Sequence, residues 1–274
     1  MIAHITKTES NHIKEQTVLE HLKGTAHVAR ILGEPLGISS LTYISALFHD
    51  LGKWRIAFKH YIYTVQDGNK ANKINHSSAG AIFIYRRYYK NDDYQKLTVQ
   101  LIAYAILSHH GLNDCLSPDG IDVFNSRIDN SENLDFEEVV KNLYNSNISM
   151  TEIDTEFEKA IQEVKVLRQQ FEANKLSPSF SLGLLARMLL SILIDADRID
   201  TAIFCGKRET KSTLQDFTLP WHQLCNNLED SLKQFNSINS ISNLREKISL
   251  ECKAFAKNPS AIYRLSVPTG GAKP

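Results

Sequence analysis

An all-α fold is predicted for this chain on three observations. Apolar residues recur at helical spacing through most of the sequence, capping residues stand where those runs begin and end, and strand-like alternation is nearly absent. A chain of 274 residues, 42% hydrophobic and 23% charged, encloses a substantial core as one large domain or two small ones and is too apolar for wholesale disorder.

The first helix reads from Thr17 to Gly33, with Val18, Leu22, Ala26 and Ala29 on one face and a glycine at its end. Ser39 or Ser40 is placed to cap a second, which carries Leu41, Ile44, Ala46, Leu47 and Phe48 and ends near Gly52. His76 to Lys90 and Lys96 to His110 read as two more, the latter closed by Gly111. Ser149-x-x-Glu152 matches a capping box that opens a long helix to about Asn174. A strongly apolar helix follows from about Phe180 to Asp200, with two further helices near 221–235 and 242–257. Only Ile262 to Val267 resembles a strand. The domain reading is a helical domain over 1–240 and a separate segment over 241–274.

Composition narrows the setting. Met1 to Ser10 is polar and lacks the apolar core of a signal peptide. The longest apolar stretch, Leu182 to Ala196, is interrupted by Arg187 and is too short to span a bilayer, so no membrane partner is expected. Cys115, Cys205, Cys225 and Cys252 form no Cys-x-x-Cys pair and read as free buried thiols in a reducing cytoplasm. Lys+Arg and Asp+Glu balance at 31 each, which argues against a domain coated in basic residues but leaves room for a local basic groove. Residues 121–165 hold eleven acidic and four basic side chains, read as a solvated helical face plus loop.

Histidine is the unevenly spread residue. Nine of ten lie in the first 110 positions, at 4, 12, 21, 27, 49, 60, 76, 109 and 110. His49-Asp50 stands at a helix end, where neighbouring side chains about 100° apart can reach one cation. A carboxylate has two oxygens and can bridge two cations, whereas an imidazole binds one. His21 lies on the preceding helix, His76 opens a helix among small residues, His109-His110 ends another, and Asp197 sits at the polar end of an apolar one. Each element thus carries an imidazole or carboxylate beside core residues, and metal coordination satisfies several such groups at once. The remaining histidines, His4, His12, His60 and His222, are expected at the surface or at caps. His27 lies about 120° around the helix from His21, so joint ligation is not expected. Trp54 and Trp221 read as core or interface anchors.

The ordered segments LEHLKGTAHVA, FHDLGKW, HSSAGA, SHHG and DADRIDT resemble the HD superfamily of metal-dependent phosphohydrolases, over about residues 17–205. The narrower likeness is to the HD nuclease domain of the CRISPR-associated nuclease–helicase of type I systems. That resemblance implies an HD-domain helical bundle with a dinuclear metal site between helices. It implies one site from His21, His49, Asp50 and Asp197, and a second from His76, His109 and His110, with Asp50 bridging. Asp197 is preferred to Asp195 and Asp200. Lys53 matches the family's HDxGK lysine and is expected on the scissile phosphate or the attacking hydroxide, with Asp50 and Lys53 as the catalytic pair. Imidazole and carboxylate donors suit one or two ions of Mn, Fe, Co, Ni or Zn.

Two cations about 3.5–4 Å apart activate water and neutralise the entering and leaving oxygens of a phosphodiester. The resemblance implies metal-dependent hydrolysis of mainly single-stranded DNA, with a superfamily 2 helicase domain in cis or in trans and an RNA-guided CRISPR surveillance complex as partners. Lys53, Arg55, Lys59, Lys70, Lys73, Arg86, Arg87 and Lys90 could line a groove, with Tyr61, Tyr63, Tyr85, Tyr88 and Tyr89 between them. The tail IYRLSVPTGGAK resembles the strand and phosphate loop that begin a superfamily 2 helicase, so 241–274 reads as a linker and its truncated start. Pro274 stands where Ser or Thr would hold Mg²⁺, and no ATP binding is expected. A phosphohydrolase of nucleotides or cyclic dinucleotides, and a non-catalytic helical interaction module, are the alternative readings.

Overall fold

In a computed structural model of the chain, the described residues are 1–7, 12–72, 74–90, 92–111, 115–130, 135–207, 221–234, 240–259 and 263–267. Thr17 starts the first helix by reciprocal capping: its hydroxyl accepts from the Glu20 N–H at 3.2 Å, while the Glu20 carboxylate accepts from the Thr17 N–H at 2.8 Å. Helix α1 then runs Val18–Gly33. Helix α2 follows over Ser39–Phe48, α3 over Ile56–Gln66, α4 over Ser78–Tyr88 and α5 over Asp93–Ser108. Short helices α6 (Val123–Asp129) and α7 (Phe136–Tyr144) lead to the long α8 (Met150–Ala173) and α9 (Pro178–Phe204). The sequence signals place α1, α2, α4, α5, α8 and α9 to within a few residues. Helices α3, α6 and α7 go unread because they are short and bury little: Phe58 is the one buried residue of α3 and Ile128 that of α6.

The all-α reading holds with one addition. Strands β1 (Ile2–Lys7) and β2 (Ile13–Thr17) form an antiparallel hairpin ahead of α1. Only Ala3 and Gln16 are buried in these strands, so no apolar alternation marks them in the sequence. Polar links tie the hairpin down instead: Lys14 Nζ donates to the Phe204 carbonyl at 3.1 Å and Gln16 Nε2 to Asp200 Oδ2 at 2.9 Å. The expected strand near the end is not formed over 263–267, which has no regular structure and no ladder partner among the described residues.

Helix α1 packs on α2 and α9, and α2 packs also on α5 and α8, while α4 lies on α5. Leu22, Leu41, Ile44, Phe48, Ile102 and Ile106 are fully buried where these helices meet. Each such side chain contributes about 1.5–3 kcal/mol. Helix α9 is 27 residues long, longer than the apolar stretch suggested, and is long and apolar enough by length and composition to cross a membrane. It nevertheless buries Leu189, Leu193 and Ala196 in the core and carries three aspartates in its last three turns.

Neither Ser39 nor Ser40 caps α2. The N-cap is Ile38, whose side chain has no hydrogen-bond acceptor, and the Ser40 hydroxyl donates to Glu156 at 3.0 Å. The open N–H groups of Ser40 and Leu41 are taken by the Glu163 carboxylate of α8, at 2.8 Å each. A carboxylate at a helix N-terminus also meets the positive end of the dipole. Glu163→Ala should therefore lower stability by about 1–2 kcal/mol, the scale of a lost N-cap, seen as a lower urea midpoint. An unchanged midpoint would show that water replaces the carboxylate without loss. Helix α1 ends at Gly33 as the sequence reads, whereas α5 ends at Ser108, three residues before Gly111; the glycines in the left-handed conformation are Gly37, Gly68, Gly120 and Gly206.

Two compact units divide the chain, Met1–Gln215 and Asp216–Pro274. The sequence boundary at 240/241 thus falls inside the second unit, which contains α10 (Trp221–Lys233) and α11 (Ser240–Phe255), joined by an ion pair between Lys253 and Glu229 at 2.8 Å. The Trp221 side chain and the glycine-containing tail from 268 onward lie outside the described residues. No disulfide joins the cysteines, but they are not buried as expected: Cys115, Cys225 and Cys252 are exposed and Cys205 half-buried. Leu, Ile, Ala and Phe fill the core in their place.

Candidate metal centre

Helix ends assemble the centre. His49 and His109 follow the last residues of α2 and α5 and use the same device: Nδ1–H donates to the carbonyl three residues back, Ala46 or Ile106, at 2.7 Å. That satisfies a carbonyl the helix leaves open and sets the ring so that Nε2 faces the centre. His76, just before α4, donates from Nδ1 to the Ile74 carbonyl at 2.8 Å. His21 on α1 pairs through Nδ1 with Asp200 Oδ2 at 2.8 Å. Four rings thus have Nδ1 engaged and Nε2 directed inward.

Asp50 stands where those nitrogens converge. Its Oδ2 lies 3.4 Å from His21 Nε2, 3.2 Å from His49 Nε2 and 2.8 Å from Lys53 Nζ. Its Oδ1 lies 3.6, 3.3 and 3.8 Å from Nε2 of His76, His109 and His110. Asp197 Oδ1 is 3.4 Å from His21 and 3.7 Å from His49, on the Oδ2 side. One carboxylate therefore faces a different set of imidazoles with each oxygen.

Hydrogen-bond accounting tests whether these residues suit a cation. Among the described residues, Nε2 of His21, His49 and His109 and Oδ1 of Asp50 are buried without a hydrogen-bond partner. Native proteins rarely leave four such atoms together, because each open polar group costs about 1–3 kcal/mol. His76 and His110 bring two Nε2 atoms within 2.7 Å. Two groups have the proximity that a metal ion requires, His21 with His49, Asp50 and Asp197, and Asp50 with His76 and His110. His109 is outside the second group, although its Nε2 faces the same Asp50 oxygen. The donors are nitrogen and oxygen only, and this cluster points to divalent metal binding.

Charge in the metal-free centre is shared. Burial opposes the imidazolium of His49, but the Asp50 and Asp197 carboxylates override it and raise its pKa to about 10. Burial likewise opposes ionisation of Asp50, yet the His49 and Lys53 charges hold it well below the usual carboxylate range. Burial lowers His76, and burial with the neighbouring His109 lowers His110 to about 4. A cation entering here competes with the His49 proton, so metal uptake is coupled to proton release.

Three residues at the centre escaped the sequence reading or were ranked below others. His4, expected at the surface, sits on β1 with its ring 4.6 Å from that of His21, and its Nε2 is 3.1 Å from Lys53 Nζ. Burial, then the Lys53 charge, pushes its pKa down to about 3, so the ring is neutral. Asp200 was set behind Asp197; it lies one turn further on and holds His21 rather than joining either donor group. Gln16 in turn holds Asp200. The three-residue spacing of Asp197 and Asp200 is a legible signal that both share a helix face. Nothing in the first sixteen residues marks His4 or Gln16. Asp200→Ala should lower Mn²⁺ affinity about 10- to 100-fold by titration calorimetry, the usual scale for a group that orients a ligand, and an unchanged affinity would exclude that role.

The basic groove is mostly engaged elsewhere. Lys53 is buried on Asp50 and His4, Arg55 donates twice to Asp135 and once to the Asn75 carbonyl, and Arg87 forks onto Asp154. Arg86 lies over the Phe136 ring. Lys59, Lys70 and Lys90 are exposed, and Lys73 lies outside the described residues. The tyrosines are used in packing: Tyr85 stacks on Tyr89, Tyr88 on Phe157, Tyr61 tilts against Phe58, and Tyr63 donates to Glu15. Trp54 is buried in the core, whereas His12, His27, His60 and His222 are exposed.

No curated protein sequence matches the chain. The HD domain family profile matches residues 18–201, well over half of the chain and every residue of both donor groups. The hairpin with His4 and Gln16 precedes the matched span. With its His–Asp centre and helical frame, the chain belongs to the HD domain family, whose members suggest metal-dependent phosphohydrolase activity.

Proposed function

We propose that this chain is a metal-dependent nuclease acting on single-stranded DNA in CRISPR interference, the nuclease portion of a nuclease–helicase. The observation that carries the reading is the two-sided use of Asp50, whose oxygens face separate imidazole groups at 3.2–3.4 Å and 3.3–3.8 Å. Such an arrangement would suit two cations: His21, His49 and Asp197 would hold one, and His76 and His110 the other, where His109 also faces Asp50 Oδ1. Bound divalent ions supply Lewis acidity, lowering the pKa of water and neutralising phosphate charge.

The chain's own residues then orient and balance. Asp50 and Asp197 provide the anionic charge that a dication requires. Lys53 has three N–H groups, of which two point to Asp50 and His4, leaving one for a phosphate oxygen. Support for DNA as substrate comes from the combination of HDLGK, HSSAGA and the helicase-like tail. With Arg55 and Arg87 paired internally, the domain by itself should hold DNA weakly, and a helicase in cis or in trans would supply the grip. No ATP turnover is expected from these residues.

The test uses purified protein with Mn²⁺ or Ni²⁺ and circular single-stranded DNA. Opening and degradation of the circles, blocked by EDTA, supports the proposal. Intact circles with cleavage of nucleotides or cyclic dinucleotides would move the activity to small phosphoesters. No turnover of either and no bound transition metal would leave a non-catalytic helical module.

A further inference from the structure

We infer that His4 is a positioning residue, which holds the Lys53 ammonium at the centre from the amino-terminal hairpin. Lys53 is 4% exposed, and its Nζ stands between two acceptors, Asp50 Oδ2 at 2.8 Å and His4 Nε2 at 3.1 Å. An ammonium only donates, so His4 accepts through Nε2 and carries its proton on Nδ1. The Phe58 ring, 5.8 Å away, supports the same cation from its face.

The need for a second acceptor follows from competition at Asp50. Oδ2 also faces His21 and His49, so a dication held there draws on the same lone pairs that bind Lys53. Its positive charge also repels the ammonium. With Asp50 alone, Lys53 would be released as the metal entered; a neutral acceptor on a separate element keeps it in place. The hairpin is itself anchored to α9 through Lys14 and Gln16, which makes His4 a fixed rather than a swinging partner. The inference rests on the metal-centre reading, not on DNA as the substrate.

Three variants separate acceptor chemistry from shape. His4→Phe keeps a ring without a lone pair. His4→Gln carries an amide oxygen at about the reach of Nε2, and His4→Asn carries the same group one methylene short. In Zn²⁺-loaded protein labelled with ¹⁵N-lysine, where the dication competes for Asp50, the Lys53 ammonium signal, assigned by its loss in Lys53→Met, should survive in wild type and His4→Gln. It should vanish by solvent exchange in His4→Phe and His4→Asn. In Mn²⁺-loaded protein, the latter two should lose about 10- to 100-fold in kcat for phosphodiester cleavage at unchanged metal content, with Gln restoring most of it. A persistent signal in both, or equal impairment by Gln and Asn, would overturn the inference. Should His4→Phe fail to fold by circular dichroism, the Gln and Asn pair decides. If wild type cleaves no phosphodiester, the nuclease reading falls, while the ammonium signal of the Zn²⁺-loaded protein still decides the role of His4.

Discussion

Replacing Asp50 by alanine is expected to abolish cleavage and the retention of stoichiometric metal, with helical circular dichroism close to that of the parent protein. Both halves of the centre depend on this carboxylate: Oδ2 faces His21, His49 and Lys53, and Oδ1 faces His76, His109 and His110. Removing one partner of a buried charged pair costs about 3–5 kcal/mol. Helix content should persist because α2 is held by Leu41, Ile44 and Phe48 in the core and by Glu163 at its start. Elemental analysis of the purified variant checks the first claim and a cleavage assay the second. A variant with full metal and wild-type cleavage would place the chemistry elsewhere in the molecule.

Gly80→Ala should destabilise the fold by about 3 kcal/mol or more, while Gly183→Ala should stabilise it by up to about 1 kcal/mol. Both glycines lie inside helices, where alanine is intrinsically the better residue by about 1 kcal/mol. A Cβ at Gly183 meets nothing within 4 Å. At Gly80 it would clash with the Phe48 carbonyl oxygen and lie 2.8 Å from its carbon, so backbone must move. That contact brings the start of α4, beside His76, against the end of α2, beside His49. Gly52 completes the same junction by donating its N–H to the His76 carbonyl at 3.1 Å. A loss of about 3 kcal/mol lowers the melting temperature by roughly 6–12 °C for a domain of this size. Thermal melts that move the same way for both substitutions would refute the close-approach argument. The glycines of HDLGK and HSSAGA are thus packing residues that join two motifs.

Helical elements were legible where long amphipathic runs met cap residues, as at Thr17 and Ser149, because both signals are local. Short helices such as α6 and α7 bury too few side chains to show a period. The hairpin is held by polar links to α9, which no spacing within its own residues can reveal.

The same division runs through the centre. Residue types at helix ends determined the chemistry available to this protein: imidazole and carboxylate donors, each beside core residues that force burial. Local backbone geometry then aims His49 and His109, since each ring follows a helix and donates to the open carbonyl three residues back. Which aspartate faces the imidazoles and which orients one, where Lys53 is spent, and what holds His4 were decided by tertiary packing alone. The physical reason is separation along the chain. His21 meets Asp200 across 179 residues, Lys53 meets His4 across 49, and the start of α2 is closed by Glu163 from 123 residues away. Hydrogen bonds act over about 3 Å, so such pairings exist only once the helices have docked.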